Sequence, residues 1–153
     1  MTKIAQEAYV VYVKTYEWDD WSRDYSLTTL YRVVYKGKSL GNWGKSGDIT
    51  PIELGGKVKG FLKTGKWRAG GNCYFFIDLE GHGPDTWVGC EVGSSPHFRN
   101  YRVKGNILTL WGDEAKTPED LKKDRSIPEE EKSIYEVDLR TGQVIYDPFV
   151  PVD

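Results

Sequence analysis

Short runs of aromatic and β-branched residues, each ending near glycines, recur along most of the chain and constrain its fold more than any other feature. AYVVYVKTY (8–16), LTTLYRVVYKG (27–37) and NCYFFIDLE (72–80) are three such runs. Their side chains pack well on pleated surfaces, and glycine supplies the turns between strands. With 17 Gly, 10 Tyr and 6 Trp in 153 residues, the chain favours strands over helices.

About eight to ten short strands are predicted in this way, and the length of the chain suits one domain. We therefore expect a single all-β domain over residues 1–153, an antiparallel β-sandwich. EWDDWSRDYS (17–26), between the first two strands, is predicted to be a polar turn that carries two tryptophans. NYRVKGNILTLWG (100–112) is predicted to hold two more strands around a Lys-Gly-Asn turn.

Charge is concentrated in one late segment. Residues 112–132 hold eight acidic and five basic residues, whereas the net charge of the whole chain is −2. Within this charged helix and loop insertion, Thr117 followed by Pro118 is typical of a helix start and predicts one short helix near 117–125. Residues 133–148 are predicted to form a C-terminal β-hairpin with its tip at Arg140-Thr141-Gly142.

The small net charge argues against nucleic acid as a partner, since such proteins usually carry a basic surface. MTKIAQEAYVVYVK, at the start of the sequence, lacks the apolar run of a secretory signal. We therefore expect cytoplasmic synthesis without a Sec signal, and later release outside the cell is left open. Cys73 and Cys90 are accordingly expected to be reduced and buried.

Catalytic arrangements are not favoured by the positions of the reactive residues. A metal site would need to join Cys73 and Cys90 to His82 and His97, yet the histidines are expected about 30 Å apart at opposite ends of one strand. Cys90 lies within a predicted strand, where a thiol lacks the surroundings that activate it. Asp78 and Glu80, on one face of their strand, are the carboxylate pair hardest to exclude. We expect no catalytic residues, no metal and no cofactor.

Binding is favoured instead, because the tryptophans stand beside turns: EWDDW, GNWG, GKWR, DTWVG and LWG. A tryptophan at the edge of a loop either folds back onto the sheet or meets a ligand. Loops that carry several of them suit a sugar or a membrane interface, where an amphipathic ring is stable.

Residues 41–103 resemble the middle of the aegerolysin and actinoporin-like β-sandwich proteins. The resemblance begins with a Gly/Trp loop (41–44), a Pro-containing strand entry (Thr50-Pro51-Ile52) and a strand with an aromatic core (Val58–Phe61). It continues with a Gly-rich turn (Gly65–Gly71), an aromatic strand ending in Ile-Asp (Tyr74–Asp78) and a Pro-led loop (Pro96–Tyr101). The aegerolysin Gly-Thr-Glu-Gly signature is replaced here by Ala69-Gly70-Gly71-Asn72, and residues after 112 have no counterpart.

The resemblance implies a cytolysin-like protein that binds a membrane lipid head group, with pore formation, alone or with a second protein component, left open. The lipid-binding residues would lie on the Pro-led loop and beside it: Trp67, Trp87, Pro96, His97, Phe98, Asn100 and Tyr101. Trp87 and Phe98 are then expected to be exposed together at one end of the domain. The alternative is a non-catalytic module of the immunity, inhibitor or phage accessory type, which contacts a protein partner through the acidic segment 113–131.

Overall fold

The fold is built almost entirely of antiparallel strands, which confirms the predicted all-β class. The structure is a computed structural model that describes residues 1–44, 48–66, 71–84, 98–113 and 115–148. Its strands within these ranges are β1 (Thr2–Ala5), β2 (Ala8–Asp19), β3 (Asp24–Tyr35), β4 (Lys38–Gly44), β5 (Asp48–Leu54), β6 (Lys57–Lys66), β7 (Asn72–Asp78), β8 (Asn100–Lys104), β9 (Ile107–Trp111), β10 (Ile134–Asp138) and β11 (Val144–Tyr146).

One short α-helix, α1 (Pro118–Lys123), lies in the charged segment and confirms the helix predicted near 117–125. Thr117 caps it, since its hydroxyl accepts a hydrogen bond of 3.2 Å from the backbone N–H of Asp120. Acidic residues occupy the first turn and lysines the last, as the helix dipole favours. A 3₁₀ turn follows at Glu129–Glu131.

The strands form three antiparallel sheets, each from consecutive segments of the chain. Their strand orders are β1-β2-β3-β4, β5-β6-β7 and β11-β10-β9-β8. The predicted strands around Lys104-Gly105-Asn106 correspond to β8 and β9, in which Val103 pairs with Leu108. The predicted strand that contains Cys90, residues 85–93, lies outside the described residues.

The β5-β6-β7 sheet lies between the other two and is buried on both faces. Phe61 and Ile77 pack with Ala8, Val33 and Leu40 of the first sheet. Leu62 and Phe76, their neighbours in sequence, point to the opposite face and pack with residues of the last sheet, among them Leu108, Leu110 and Val137. Burial on both faces explains why the sequence of β7 is a continuous apolar run rather than an alternation.

The two longest strands, β2 and β3, pair over their whole length, from Ala8 opposite Tyr35 to Asp19 opposite Asp24. The polar turn predicted at 17–26 is therefore shorter than expected, because residues 17–19 and 24–26 belong to strands. Only residues 20–23 connect them.

Candidate functional site: an aromatic hairpin arm

The β2–β3 hairpin extends beyond the sheet to which it belongs. β1 accompanies β2 only as far as Thr2 opposite Val10, and β4 accompanies β3 only as far as Gly44 opposite Tyr31. Beyond these two residue pairs, toward the tip, the hairpin is two-stranded in the part of the chain that the structure describes. We call residues 12–31 the arm. At about 3.3 Å per residue, its strands reach about 25 Å past the sheet.

One face of the arm is rich in aromatic side chains. Tyr12 pairs with Tyr31, Tyr16 with Leu27 and Trp18 with Tyr25, and alternate rows share a face. The Lys14–Thr29 pair lies on the same face, between the first two of these pairs. The ring centroids are 6.3 Å apart in the Tyr12–Tyr31 pair and 5.2 Å apart in the edge-to-face Trp18–Tyr25 pair. Tyr16 is 70% exposed and Trp18 is 53% exposed, so much of this face is open to solvent.

The opposite face of the arm is polar toward the tip. There Thr15 pairs with Thr28, Glu17 with Ser26 and Asp19 with Asp24, whereas Val13 pairs with Leu30 nearer the body. The arm is thus an amphipathic hairpin. A surface sheet normally turns such an apolar face toward the core.

The aromatic face continues a face that is buried nearer the body. Ala8 and Val33 lie on the same side of the hairpin as Tyr12 and Tyr31, and both are fully buried against the middle sheet. In the described structure, the apolar face of the β2–β3 hairpin therefore extends beyond the middle sheet that covers it nearer the body.

The tip of the arm is held by hydrogen bonds that its own acidic side chains accept. The Asp20 carboxylate accepts a bond of 2.8 Å from the indole N–H of Trp18, and the Asp19 carboxylate accepts one of 2.9 Å from the backbone N–H of Trp21. Arg23 closes the turn with a φ of 52°. These bonds orient Trp18 and leave Trp21, which is 96% exposed, at the outermost point.

Among the lipid-binding residues predicted from the sequence, Phe98 does not have the expected exposure. It is 1% exposed and packs 6.4 Å from Tyr135 in the core. Its carbonyl accepts a hydrogen bond of 2.8 Å from the N–H of Tyr74, which fixes this segment against β7. The expectation that Phe98 is exposed is therefore wrong, because its ring fills the space between two sheets.

The other predicted residues are described only in part. Asn100 is half-buried and donates a hydrogen bond of 3.1 Å to the carbonyl of Asp113. Tyr101 is 44% exposed, with its ring 4.8 Å from that of Tyr74 at the rim of the core. Trp67, Trp87, Pro96 and His97 lie outside the described residues, so their grouping stays a prediction.

Asp78 and Glu80 line a small cavity of about 180 Å³ with Lys59 and Arg140. One oxygen of Asp78 accepts hydrogen bonds from the backbone N–H groups of Glu80 (2.9 Å) and His82 (2.8 Å). The His82 side chain is 80% exposed. The bonds show that Asp78 organises the turn after β7.

Cys73 is 1% exposed and disulfide-bonded, so the expectation of a reduced thiol there is wrong. Cys90, the other cysteine of the chain, lies outside the described residues.

The acidic segment 113–131 is ordered against the body, and several of its acids are neutralised. Glu119 bonds to Arg102 at 2.6 Å, and Asp124 bonds to Lys116 at 2.9 Å. Glu129 accepts a hydrogen bond from Tyr146 and contacts Lys132 at 3.1 Å. The hydroxyl of Tyr146 and Lys132 together lower the pKa of the Glu129 carboxyl. Much of this segment therefore packs against the last sheet.

The described residues include no group of three or more His, Cys, Asp or Glu side chains arranged to hold a metal ion. No helix within the same ranges has the length and apolar character needed to cross a bilayer. Comparison with protein-family models, with curated proteins and with solved structures finds no match. The resemblance over residues 41–103 thus stays a prediction.

The arm is the feature that sequence analysis missed. Its signal is an alternation of bulky side chains on both sides of a short turn, interrupted once in each series by Lys14 and by Thr29: Tyr12, Tyr16 and Trp18 before the turn, and Tyr25, Leu27 and Tyr31 after it. Counting residues 17–26 as a polar turn separated these two series, although pairing across the turn places them on one face.

Proposed function

We propose that this protein binds membrane lipid surfaces through the aromatic face of the arm. The observation that carries the proposal is the exposed row of Tyr12, Tyr16, Trp18 and Tyr25, with Trp21 at the tip. Taking about 200 Å² for each ring, the exposed part of these five side chains is on the order of 600 Å². That area is at the upper end of the largest apolar patch on a typical monomer, about 300–600 Å², and such patches are often interaction surfaces.

The chemistry of the row suits the interface between water and lipid. Tyrosine and tryptophan have an apolar ring and a polar atom, and they concentrate at the head-group level of membranes. The polar rows of Thr15 and Thr28 would face water when the aromatic face rests on the membrane. The arm would then lie on the surface, as amphipathic elements do.

The charge of the tip favours neutral lipids over anionic ones. Residues 17–24 contain Glu17, Asp19, Asp20 and Asp24 but only one base, Arg23. Anionic head groups repel such a tip, and the repulsion weakens as salt screens it. Zwitterionic surfaces present no such barrier.

Vesicle co-sedimentation tests the proposal, with zwitterionic phosphatidylcholine and anionic phosphatidylserine vesicles in parallel and dye release measured in the same samples. We expect the protein to pellet with the zwitterionic vesicles, and the Tyr16→Ala/Trp18→Ala double variant to lose most of this binding. Tyr101→Ala removes an exposed aromatic ring outside the arm and is the matched control. It should bind as the wild type does.

The result separates the arm from the Pro-led loop predicted at first. Loss of binding in Tyr101→Ala but not in the double variant would move the site to that loop. Failure to pellet with any vesicle would reject lipid binding and favour a protein as the occupant of the arm.

The interaction-module hypothesis is supported by one observation, the order of segment 113–131. Asp120, Glu130 and Glu131 remain exposed on it, whereas Glu119 and Glu129 are paired with residues outside the segment and Asp124 is paired with Lys116 inside it. A protein partner would meet this smaller acidic set. Neutralising the exposed three as Asn and Gln, with binding to a basic partner measured in a pull-down, tests this second function.

A further inference from the structure

We infer that two copies of the chain pair through the outer edges of β2, forming a four-stranded sheet from their two arms. The inference concerns the edge of the arm rather than its aromatic face, and it does not depend on lipid binding. Beyond Val10, the outer edge of β2 has no strand beside it within the described ranges.

The first argument is the stability of the arm itself. A two-stranded hairpin is marginally stable in water, and three or more strands with an apolar face are needed for independent stability. The arm has the apolar face but, as far as the structure describes the chain, two strands and no third. A further strand on its edge would supply what is missing.

The second argument is that this edge lacks two of the three features that keep strand edges from pairing. Native edges are blunted by proline, by bulges or by several charges. Residues 11–19 of β2, VYVKTYEWD, contain no proline, although they carry three charges, Lys14, Glu17 and Asp19. The β2–β3 register runs without a shift from one end to the other, whereas the β1–β2, β3–β4, β5–β6 and β10–β11 pairs all contain one.

The third argument is that the edge is complementary to itself. In an antiparallel pair of identical strands, the residue on the two-fold axis lies opposite its own copy. An axis at Lys14 or at Glu17 would oppose like charges, which is destabilising. An axis at Thr15 places Thr15 opposite Thr15 and pairs residues 11 to 19 of each copy.

The cross-strand pairs about Thr15 are favourable ones. Lys14 lies opposite Tyr16 of the second copy, a cation beside an aromatic ring, and Tyr12 lies opposite Trp18 of the second copy. Glu17 lies opposite Val13, away from other acids. The second copy would also extend the hydrogen-bonding edge that β1 occupies nearer the body. The pairing of β1 reaches Val10, and β2 of the second copy would pair antiparallel from residue 11 onward.

Both aromatic faces lie on the same side of the resulting sheet. With the axis on Thr15, each even-numbered residue of β2 lies opposite an even-numbered residue of the second copy, and opposed residues point to the same face. The dimer thus presents a surface twice as large as that of one arm. The partner that the edge fits is a second copy of this chain.

Cysteine cross-linking in the absence of lipid tests the inference. Opposed residues of an antiparallel pair have Cα atoms about 4.5–5.5 Å apart, which suits a disulfide. Thr15→Cys should therefore form a covalent dimer in a glutathione redox buffer. Thr28→Cys is the matched control, because Thr28 pairs with Thr15 in the hairpin, shares its face and is equally half-buried, but lies on the other strand.

We expect Thr15→Cys to cross-link at least about tenfold faster than Thr28→Cys, because only the former pair lies within disulfide reach. In sedimentation velocity the wild type should dimerise with rising concentration. Thr15→Lys, which places two ammonium groups on the axis, should stay monomeric, while Thr28→Lys should behave as the wild type does.

Equal cross-linking rates at the two positions, or a wild type that stays monomeric at every concentration, would overturn the inference. Because no vesicles are present, either result leaves the lipid-binding proposal to its own experiment.

Discussion

At Gly60 in β6, the ring of Phe76 from the neighbouring strand occupies the space where a side chain would begin. A Cβ atom at Gly60 would lie 2.4 Å from Cζ of Phe76 and 2.5 Å from the carbonyl oxygen of Ile77. Phe76 is 1% exposed and belongs to the core between the middle and last sheets. Because residue 60 is a glycine, the ring of Phe76 can occupy the space beside the backbone of β6.

Gly60→Ala should lower the free energy of unfolding by about 2–3 kcal/mol, because a buried ring and a backbone carbonyl must both shift. Gly105→Ala is the comparison. It places a Cβ in open space at a φ of +62°, so it should cost only the backbone strain, about 1 kcal/mol. Urea denaturation of the two variants measures the difference. Equal losses would show that the contact with Phe76 relaxes at no cost.

Among the elements, α1 is too short to be stable alone, and its contacts with the last sheet hold it in place. Leu121, a residue of the helix itself, is buried. Lys122 bonds to Glu136 of β10, and Glu136 also accepts a hydrogen bond of 2.9 Å from the Thr109 hydroxyl. Glu119 forms a two-bonded pair with Arg102 of β8. The helix is thus fixed by side chains from two strands, Arg102 of β8 and Glu136 of β10.

The hydrogen bonds from Arg102 lower the pKa of Glu119 to about 2, from an ordinary value of 4.5. A carboxyl group with a lowered pKa stabilises the fold above its ordinary pKa, and this contribution disappears as the pH falls toward 2. The difference in Tm between the wild type and Arg102→Gln should therefore be largest above pH 4.5 and shrink toward pH 2. The pair is exposed, so the effect should be small and weaker in high salt.

Arg125→Gln is the control for this pH dependence, since it removes the same charge from an exposed position in the same segment. Its difference in Tm from the wild type should change little between pH 4.5 and 2. A matching pH dependence in both variants would show that general charge, rather than the Arg102–Glu119 pair, controls the acid stability.

For the whole molecule, the middle sheet joins two separate cores, and the disulfide at Cys73 lies in that sheet. Cys73 pairs with Gly65 across β6 and β7 and is almost fully buried. A cross-link at this position restrains the strand that packs against both neighbouring sheets. Its removal should therefore affect the stability of the molecule as a whole.

Complete reduction should lower the free energy of unfolding by about 2–4 kcal/mol, the usual contribution of a disulfide. Urea midpoints measured with and without a phosphine reductant give this value. Cys73→Ala should show the same midpoint in both buffers. A wild type whose midpoint is unchanged, with its thiols shown to be free by titration, would contradict the prediction.

The all-β class, the short helix and several turns could be predicted because they depend on neighbouring residues. The Thr117-Pro118 start of α1 and the turn at Lys104-Gly105-Asn106 are local patterns whose geometry follows from the side chains present. The same holds for the existence of β7, which its apolar run predicts, whereas its burial on both faces depends on how the three sheets pack. These features need no knowledge of what lies elsewhere in the fold.

What the sequence could not determine is which aromatic residues are covered. Phe98 and Trp18 both stand near turns, yet Phe98 is buried between sheets and Trp18 is exposed. Trp18 is exposed because, in the described parts of the chain, no strand accompanies β2 beyond Val10 or β3 on the tip side of Tyr31, whereas Phe98 packs between two sheets. Burial depends on where distant strands end and on which sheet packs over them. The tertiary structure alone therefore decided that the aromatic surface lies on the arm.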